Sequence, residues 1–354
     1  MPGLLLQHAF PLGLDRSLAE SAGRYITDMP RANSSRHHSR QTAFPAPAAP
    51  ETPARWITNR EWDAFASAET TAHRLCSTRE AWVERFGDDL LLSYQEDWAR
   101  DRMLAELEQW CATSGHSFRR VFGKFIPKQN AERIAPELIS GDATLPMEVS
   151  VTENGLRYGL DFAAGYSAGL FIDQRANRSF VRRMGTKRLL NTFAYTCSFS
   201  VVAASTGAQT VSVDLSRKSL DRGRENFALN SLPDEGHQFI ADDVLDVLPR
   251  LARRSDRFDC IILDPPTFSR GNKGRRFQVE EDLETLVSAA LELATQDARI
   301  LLSTNCTRLN RRMLEQIARH ALKLNRRSAT FHHEPDLSDI PTEYAARTLW
   351  MLLK

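Results

Sequence analysis

Three aspartates that each follow an apolar run could bind the polar groups of a nucleoside. They are Asp214, Asp242 and Asp264. A carboxylate at a strand end can accept hydrogen bonds from both hydroxyls of a ribose, and we expect this of Asp214. Asp242 could accept a hydrogen bond from an adenine amino group. The alternative is that Asp214, and Asp242 or its neighbour Asp243, cap the helices that follow them.

The most specific local signal is Asp264-Pro265-Pro266-Thr267-Phe268. Two prolines fix φ and remove backbone donors, so a stiff loop leaves the end of a strand here. Such a loop holds the Asp264 carboxylate outward, where it can hydrogen-bond the edge of a planar base. We expect Asp264 and Pro265 to contact the nucleoside ligand, and Pro266 and Phe268 to contact a second substrate. A plain turn with a solvated aspartate is the alternative.

Basic residues follow this loop, in the glycine-hinged segment from Ser269 to Arg276. Arg270 and Lys273 suit contacts to phosphate groups, and a mobile loop suits a lid over the substrate. A solvated loop without a ligand is the alternative interpretation.

A cysteine lies near the end of a further apolar run, in Ser303-Thr304-Asn305-Cys306. A thiol at a strand end beside a cleft is a candidate nucleophile, so we assign a catalytic role to Cys306 together with Asp264. The alternative is an inert, half-buried cysteine, which is the usual state of a free thiol.

An apolar run also leads into a turn of mostly small residues and then a helix, from Leu189 to Ser200. Its backbone N–H groups can face a polar or anionic ligand. The candidate contacts are Phe193, Tyr195, Thr196 and Ser198. The chain has no GxGxxG fingerprint, which argues against a dinucleotide and leaves a mononucleoside such as S-adenosylmethionine.

Apolar runs that alternate with amphipathic helices predict a parallel sheet with crossover helices, and therefore an α/β fold. The predicted strands are Arg188–Thr192, Thr210–Asp214, His237–Ile240, Phe258–Leu263 and Arg299–Thr304. Two later runs, Ser328–His332 and Thr348–Leu352, would close the sheet. Upstream, Asn154-Gly155 between two alternating runs predicts a β-hairpin with a type I′ turn.

The remainder of the chain divides into two parts. Residues 1–55 have little apolar periodicity and are expected to form a flexible leader. Residues 56–145 are expected to form a small α+β domain, with a strand at Leu90–Tyr94 and a helix containing Trp98 and Trp110, both interpreted as core residues. We thus expect segments 1–55, 56–145, 146–175 and 176–354.

Composition restricts the class of protein. No run approaches the ~20 apolar residues of a membrane span, and the N-terminus makes a poor signal peptide. The five cysteines are scattered without a CxxC pair, which indicates reduced thiols in a cytoplasmic protein and no metal site. Because the net charge is only +1, a nucleic-acid partner would have to be recognised by local basic clusters.

From Pro146 to Lys354 the chain resembles the bacterial class I methyltransferases that modify 23S ribosomal RNA. The resemblance begins at Gly169–Arg175 and continues through Asn191–Ser200 and the three aspartates to Phe268. It implies a Rossmann-like, seven-stranded domain preceded by the hairpin and the smaller α+β domain. It also implies S-adenosylmethionine as cofactor and ribosomal RNA as partner, with no membrane or metal. The oligomeric state, monomer or homodimer, stays open.

The resemblance also implies individual roles. The turn Phe193–Ser198 would line the methionine end of the cofactor, Asp214 would hold the ribose, and Asp242 would face the adenine. Asp264 would reach the sulfonium and the target base. Gln174 and Arg175 would help to shape the pocket. The family's N-terminal RNA-binding module of the PUA type has no recognisable counterpart in residues 56–145.

Two reactions remain open. Cys306 matches the nucleophile of the 5-methylcytosine enzymes, whereas the Asp264–Ser269 segment is closer to their 7-methylguanine relatives, which need no thiol. We place cytosine carbon 5 ahead of guanine nitrogen 7. Cys197 stands where the family usually has glycine and could crowd the cofactor, so a catalytically inactive RNA-binding or assembly protein is the alternative. Methylation of a small molecule or protein, and a nicotinamide-dependent oxidoreductase, rank lower.

Overall fold

The computed structural model describes residues 54–127, 134–271, 274 and 276–354. Residues Arg55–Lys354 form one compact unit. Nearly all of the predicted leader and the candidate phosphate ligand Lys273 lie outside the described residues. No helix within the described ranges has the length and apolar character that a membrane span requires.

The first layer is a six-stranded mixed sheet. In spatial order its strands are β1 (Arg55–Trp56), β2 (Ala72–Ser77), β3 (Ala81–Phe86), β4 (Asp89–Tyr94), β5 (Arg120–Phe125) and β6 (Glu137–Gly141). Helix α1 (Asn59–Ser67) follows β1, and helix α2 (Asp97–Ser114) connects β4 to β5. Because α2 is a helical crossover, β4 and β5 pair in parallel, whereas the other pairs are antiparallel.

Helix α2 corrects one expectation about the core. Its buried face is formed by residues spaced three or four apart, namely Ala99, Met103, Leu107 and Trp110. Trp98 precedes this face by one position, which rotates its side chain by about 100°. Trp98 is therefore 51% exposed and is a surface residue, whereas Trp110 belongs to the core as predicted.

The predicted hairpin is confirmed. Strands β7 (Glu148–Glu153) and β8 (Leu156–Asp161) pair antiparallel around Asn154 and Gly155. Both turn residues have positive φ, 50° and 78°, as a type I′ turn requires.

The second sheet has seven strands, and helices cover both of its faces. Its strands are β9 (Arg188–Thr192), β10 (Gln209–Asp214), β11 (Gln238–Ala241), β12 (Phe258–Leu263), β15 (Ala294–Thr304), β16 (Ala329–His332) and β17 (Arg347–Leu353). A two-stranded ribbon, β13 (Phe268–Arg270) with β14 (Arg276–Gln278), forms the two ends of the predicted basic loop. The helices are α3 (Arg175–Arg183), α4 (Ser198–Ala204), α5 (Arg217–Leu229), α6 (Val244–Arg253), α7 (Val279–Leu293) and α8 (Arg311–Leu324).

The spatial order β11-β10-β9-β12-β15-β17-β16 confirms the predicted α/β fold with its parallel sheet. β17 lies between β15 and β16 and runs antiparallel to both. The chain order reverses at β9, which has β10 on one side and β12 on the other. In sheets of this kind, ligands bind beyond the carboxyl ends of the strands at the point of reversal.

The central strands are buried on both faces. On β12, Ile261 and Leu263 pack in the apolar cluster formed with α6, α7 and α8, whereas Cys260 and Ile262 pack in the cluster on the opposite face. That second cluster also contains Phe122 of the first sheet and Phe162 after the hairpin. The first sheet and the hairpin are therefore packed against the same core that supports the strand ends.

Candidate active site

A cleft of about 1140 Å³ opens at the carboxyl edge of the seven-stranded sheet. It gathers residues from segments that are far apart in sequence. The predicted site residues that line it are Gln174, Phe193, Tyr195, Ser198, Asp214, Asp264, Pro265, Pro266 and Phe268. Two of the three predicted aspartates thus face one cavity.

The turn after β9 has a strained backbone. Phe193, Tyr195 and Cys197 have φ values of 54°, 48° and 61°, a region that non-glycine residues rarely adopt. Each such residue costs of order 1–3 kcal/mol, and such strain tends to cluster at functional sites. Packing and hydrogen bonds in the turn must hold this conformation.

Asp214, at the end of β10, supplies one of those hydrogen bonds. Its Oδ2 accepts from the Tyr195 N–H at 2.8 Å, and its Oδ1 accepts from the Ser216 N–H at 2.8 Å. Burial raises the pKa of Asp214, and these two backbone hydrogen bonds oppose that rise. Because a carboxylate has about four lone-pair sites, the side chain can still accept bonds from a ligand.

The end of β11 differs from the expectation. The Asp242 carboxylate forms an ion pair with Arg250 and accepts a 2.8 Å bond from the Asp243 N–H, and Asp242 does not line the cleft. Its neighbour Asp243 does line the cleft, while its side chain caps α6 through the Leu245 N–H at 2.9 Å. The carboxylate on this side of the cleft is therefore that of Asp243.

Asp264 lies at the end of β12 in a weakly solvated position. Burial raises the pKa of Asp264 to about 6. A hydrogen bond from Ser303 lowers this pKa, the nearby Asp173 raises it, and Arg178 lowers it. Near neutral pH the carboxyl group can therefore exchange a proton, which is the property required of a general acid or base.

A buried chain of hydrogen bonds leads to Asp264 along one face of the sheet. Trp350 Nε1 donates to Asn177 Oδ1 at 2.9 Å, Asn177 Nδ2 donates to Gln174 Oε1 at 2.9 Å, and Gln174 Nε2 donates to Ser303 Oγ at 2.8 Å. An indole nitrogen can only donate, so it fixes the orientation of both amides. The Ser303 oxygen is left as acceptor for Gln174 and its proton is directed to Asp264.

Two predicted pocket residues brace the site from outside the cleft. The Arg175 guanidinium pairs with Asp339 and lies 4.9 Å from the Phe65 ring centroid. The Thr196 hydroxyl donates to the Gly169 carbonyl at 2.6 Å. Neither residue lines the cleft. Thr196 connects the turn after β9 to Gly169, which lines the cleft, whereas Arg175 connects α3 to Asp339 and to α1.

Sequence reasoning did not identify Arg178, which lines the cleft. Arg178 Nη2 and Nε donate to the two oxygens of Glu153, each at 2.6 Å, and both side chains are 1% exposed. This two-point pair holds a guanidinium in place at the cleft and connects α3 to the hairpin strand β7.

Cys306 is 2% exposed and belongs to the apolar cluster that includes Leu309 and Leu314. Its neighbours Asn305 and Thr307 line the cleft, whereas Cys306 does not. After β15 ends at Thr304, the alternation of side chains turns this thiol away from the cavity. Arg270 also lies outside the lining; it is exposed at the end of β13.

Cys197 does not obstruct the cleft. The side chain is fully buried and packs against α5, where a Cβ added to Gly223 would lie 2.5 Å from Cys197 Sγ. Burial raises the pKa of this thiol to about 12, so it remains protonated. The hypothesis of a catalytically inactive protein rested on a cofactor pocket crowded by Cys197. The observed position of Cys197 removes that support.

Comparisons with known proteins agree with this architecture. A ribosomal RNA large subunit methyltransferase K/L of Psychrobacter is 41% identical over 163 residues, covering 45% of this chain and 20% of that protein. A ribosomal RNA large subunit methyltransferase I of Escherichia coli is 32% identical over 238 residues, covering 64% and 57%. The chain thus spans less than two thirds of these relatives.

A solved structure described as "a putative sam-dependent methyltransferase from Streptococcus mutans" superposes with a TM-score of 0.69 at 25% identity, covering 83% of this chain and 78% of that one. A second, described as a methyltransferase complexed with SAH, has a TM-score of 0.71 at 25% identity and covers 84% and 79%. Residues 93–351 match the family model for S-adenosylmethionine-dependent methyltransferases. The chain belongs to that family, and S-adenosylmethionine is its cofactor.

Proposed function

We propose that this chain methylates a base of ribosomal RNA in the cytoplasm. The observation that carries the proposal is the convergence of Asp214, Asp264 and the Pro265-Pro266 loop on one cleft. The relatives named for ribosomal RNA large subunit methyltransferases supply the substrate class.

The lining residues fit the cofactor. We assign the turn Phe193–Ser198 to the methionine end and Asp214 to the ribose, because Asp214 keeps acceptor capacity toward the cleft. We assign to Asp243 the adenine contact expected of Asp242, since Asp243 lines the cleft and Asp242 is held by Arg250. When bound, the cofactor supplies an electrophilic methyl group.

The target base is assigned to the outer part of the cleft. Phe268 is 50% exposed there, so its ring can stack on an unpaired base, as RNA-binding proteins commonly do. Pro266 stiffens the loop, and Asp264 can hydrogen-bond the edge of the base or accept its proton. Stacking fixes the plane of the base, while the carboxyl group fixes its rotation in that plane.

The methylated atom is the finer part of the proposal. Methylation at cytosine carbon 5 requires a nucleophile to add to the ring, and the sequence assigns this to Cys306. The burial of Cys306 in the apolar cluster weighs against that route. We therefore favour an atom that is nucleophilic without thiol addition, such as guanine nitrogen 7, with cytosine carbon 5 as the second candidate.

Transfer of tritium from labelled cofactor to unmodified ribosomal RNA tests this function. We expect tritium to enter the RNA, so RNase treatment should release the label as small fragments. Nucleoside mass spectrometry then identifies the base and the atom. Asp264→Ala is expected to abolish transfer, whereas Glu292→Gln, on the exposed side of α7, leaves it unchanged. Label that survives RNase, or remains with protein or a small molecule, would refute an RNA substrate.

A further inference from the structure

One face of the six-stranded sheet changes from apolar to polar along its strands. Leu91 on β4 and Phe122 on β5 lie in the core cluster shared with the hairpin. Two residues further along the same strands, and so on the same face, stand Ser93 and Lys124. Ser93 and Lys124 are direct register partners across the β4–β5 ladder. A hydroxyl and an ammonium group therefore lie side by side at the polar end of this face.

One of these two polar groups is unsatisfied within the described protein. Ser93 is fully buried, and its hydroxyl has no hydrogen-bond partner. Lys124 forms no ion pair with a carboxylate of the described residues, because the nearby Glu84 is already paired with Arg74 at 3.0 Å. The Lys124 side chain is half-buried, so its ammonium group can still pair with an anionic ligand.

Lys124 lies beside the cleft without lining it. Lys124 Nζ lies 5.2 Å from the ring centroid of Tyr166, and Tyr166 lines the cleft. A chain that places one nucleotide in the cleft would therefore pass over Tyr166 toward Lys124.

We propose that Lys124 binds a backbone phosphate of the RNA strand whose base enters the cleft. The inference rests on the proposed function and assigns part of the RNA-binding surface to the first sheet. Lysine is a common phosphate ligand, and such contacts fix the register of the strand rather than its sequence.

The charge state of Lys124 agrees with this role. Burial lowers the pKa of Lys124, Glu84 raises it, and Arg74 lowers it. An incoming phosphate would raise the pKa and stabilise the ammonium form, since a nearby opposite charge favours the ionised group. The charge of Lys124, which lies beside the cleft, is therefore better compensated when RNA is bound.

Salt-dependent RNA binding by the full chain tests the site. Fluorescence anisotropy would measure the Kd for a short fluorescent oligouridine and for unmodified ribosomal RNA over a range of salt concentrations. For Lys124→Met we expect weaker binding to both, and a slope of log Kd against log salt that falls by about 0.7 to 0.9, the loss of one phosphate contact. Lys124→Arg should keep the slope. Lys323→Met, at the exposed end of α8, is the matched control.

Stability and catalysis separate this role from a structural one. Lys124→Met keeps the apolar stem and removes a half-buried charge that no carboxylate pairs, so its thermal midpoint should equal or exceed that of the wild type. The KM for RNA should rise while the Kd for cofactor stays unchanged. If the wild type methylates RNA and Lys124→Met has the same salt slope as the wild type, the phosphate site alone is overturned. Unfolding of both Lys124→Met and Lys124→Arg would also overturn it. A wild type that neither binds nor methylates RNA would overturn the proposed function as well.

Discussion

The thiol of Cys197 occupies the space that a side chain at position 223 would need. A Cβ on Gly223 would lie 2.5 Å from Cys197 Sγ and 3.0 Å from Cys197 Cβ. The absence of a side chain on α5 therefore accommodates the cysteine at the start of α4. Cys197 therefore does not crowd the cofactor and instead forms a contact between α4 and α5.

This relationship predicts that Gly223→Ala destabilises the fold by about 1 to 3 kcal/mol, the usual cost of overpacking. Cys197→Gly should relieve that clash because it removes the Sγ and Cβ atoms. Glycine also accepts the positive φ of 61° at this position without strain. The double variant should then match or exceed the wild type, since alanine also favours a helix interior by about 1 kcal/mol over glycine. Urea denaturation of the four proteins measures the coupling. Additive effects of the two changes would show that the side chains do not compete for space.

Strands that are buried on both faces could be predicted from the sequence. β9 and β12 have the predicted bounds because each contains consecutive apolar residues and ends at a turn signal. The residues at their carboxyl ends follow from the topology, since parallel strands in such a sheet deliver their ends to one edge. For this reason the sequence predicts that Asp214 and Asp264 lie at one cleft.

Other features depend on contacts that the sequence does not display. The choice between Asp242 and Asp243 is decided by Arg250, one helix further along, which pairs with Asp242 and leaves Asp243 at the cleft. The bond between Gln174 and Ser303 joins residues 129 positions apart. No local pattern marks either contact, because each exists only once the helices have packed on the sheet.

The hydrogen bond from Ser303 predicts a shift in the pH dependence of catalysis. This bond lowers the pKa of Asp264, which is about 6. Ser303→Ala removes it, so the pKa should rise and the acid limb of kcat/KM should move to higher pH by up to about 1 unit, if the ionised carboxylate is the active form. Trp350→Phe, which releases the Asn177 and Gln174 amides, should shift the limb in the same direction by less.

Rates measured from pH 5 to pH 9 with saturating cofactor give this comparison. Ser205→Ala, a serine at the end of α4 that bonds only its own helix, serves as the control. An acid limb at the same pH in Ser303→Ala and in the wild type would exclude control of Asp264 by the buried chain.

Asp264 should also lower the stability of the fold at neutral pH. Its pKa is raised from 3.8 to about 6, so the folded protein binds the proton more tightly than the unfolded chain does. The stabilisation from that proton is complete below about pH 4 and is lost as the pH rises through 6. Asp264→Asn keeps the shape without the charge. We expect it to be more stable than the wild type by about 1 to 3 kcal/mol at pH 8 and by little at pH 4.5. Equal differences at the two pH values in urea denaturation would contradict this.

Cys306→Ala is expected to retain methyl transfer. The side chain is 2% exposed in the apolar cluster, so the change should cost about 1 kcal/mol of stability through a small cavity and leave the cleft intact. Initial rates with ribosomal RNA and tritiated cofactor provide the measurement, and thermal denaturation reports the loss of packing. Loss of transfer in a folded variant would instead restore the thiol mechanism and cytosine carbon 5.

Glu153→Gln should be among the most damaging single substitutions outside the reacting groups. Glu153 and Arg178 are each 1% exposed and are joined by two 2.6 Å hydrogen bonds. Removing one charge leaves the other buried and uncompensated, which costs about 3 to 5 kcal/mol. Replacing both, in Glu153→Leu with Arg178→Met, should recover much of that loss because no buried charge remains.

Glu148→Gln, at the exposed start of β7, is the control. The expectation is tested by the urea midpoints of the single and double variants. A double variant as unstable as Glu153→Gln would mean that the shape of the pair, rather than its charge, holds the hairpin against α3.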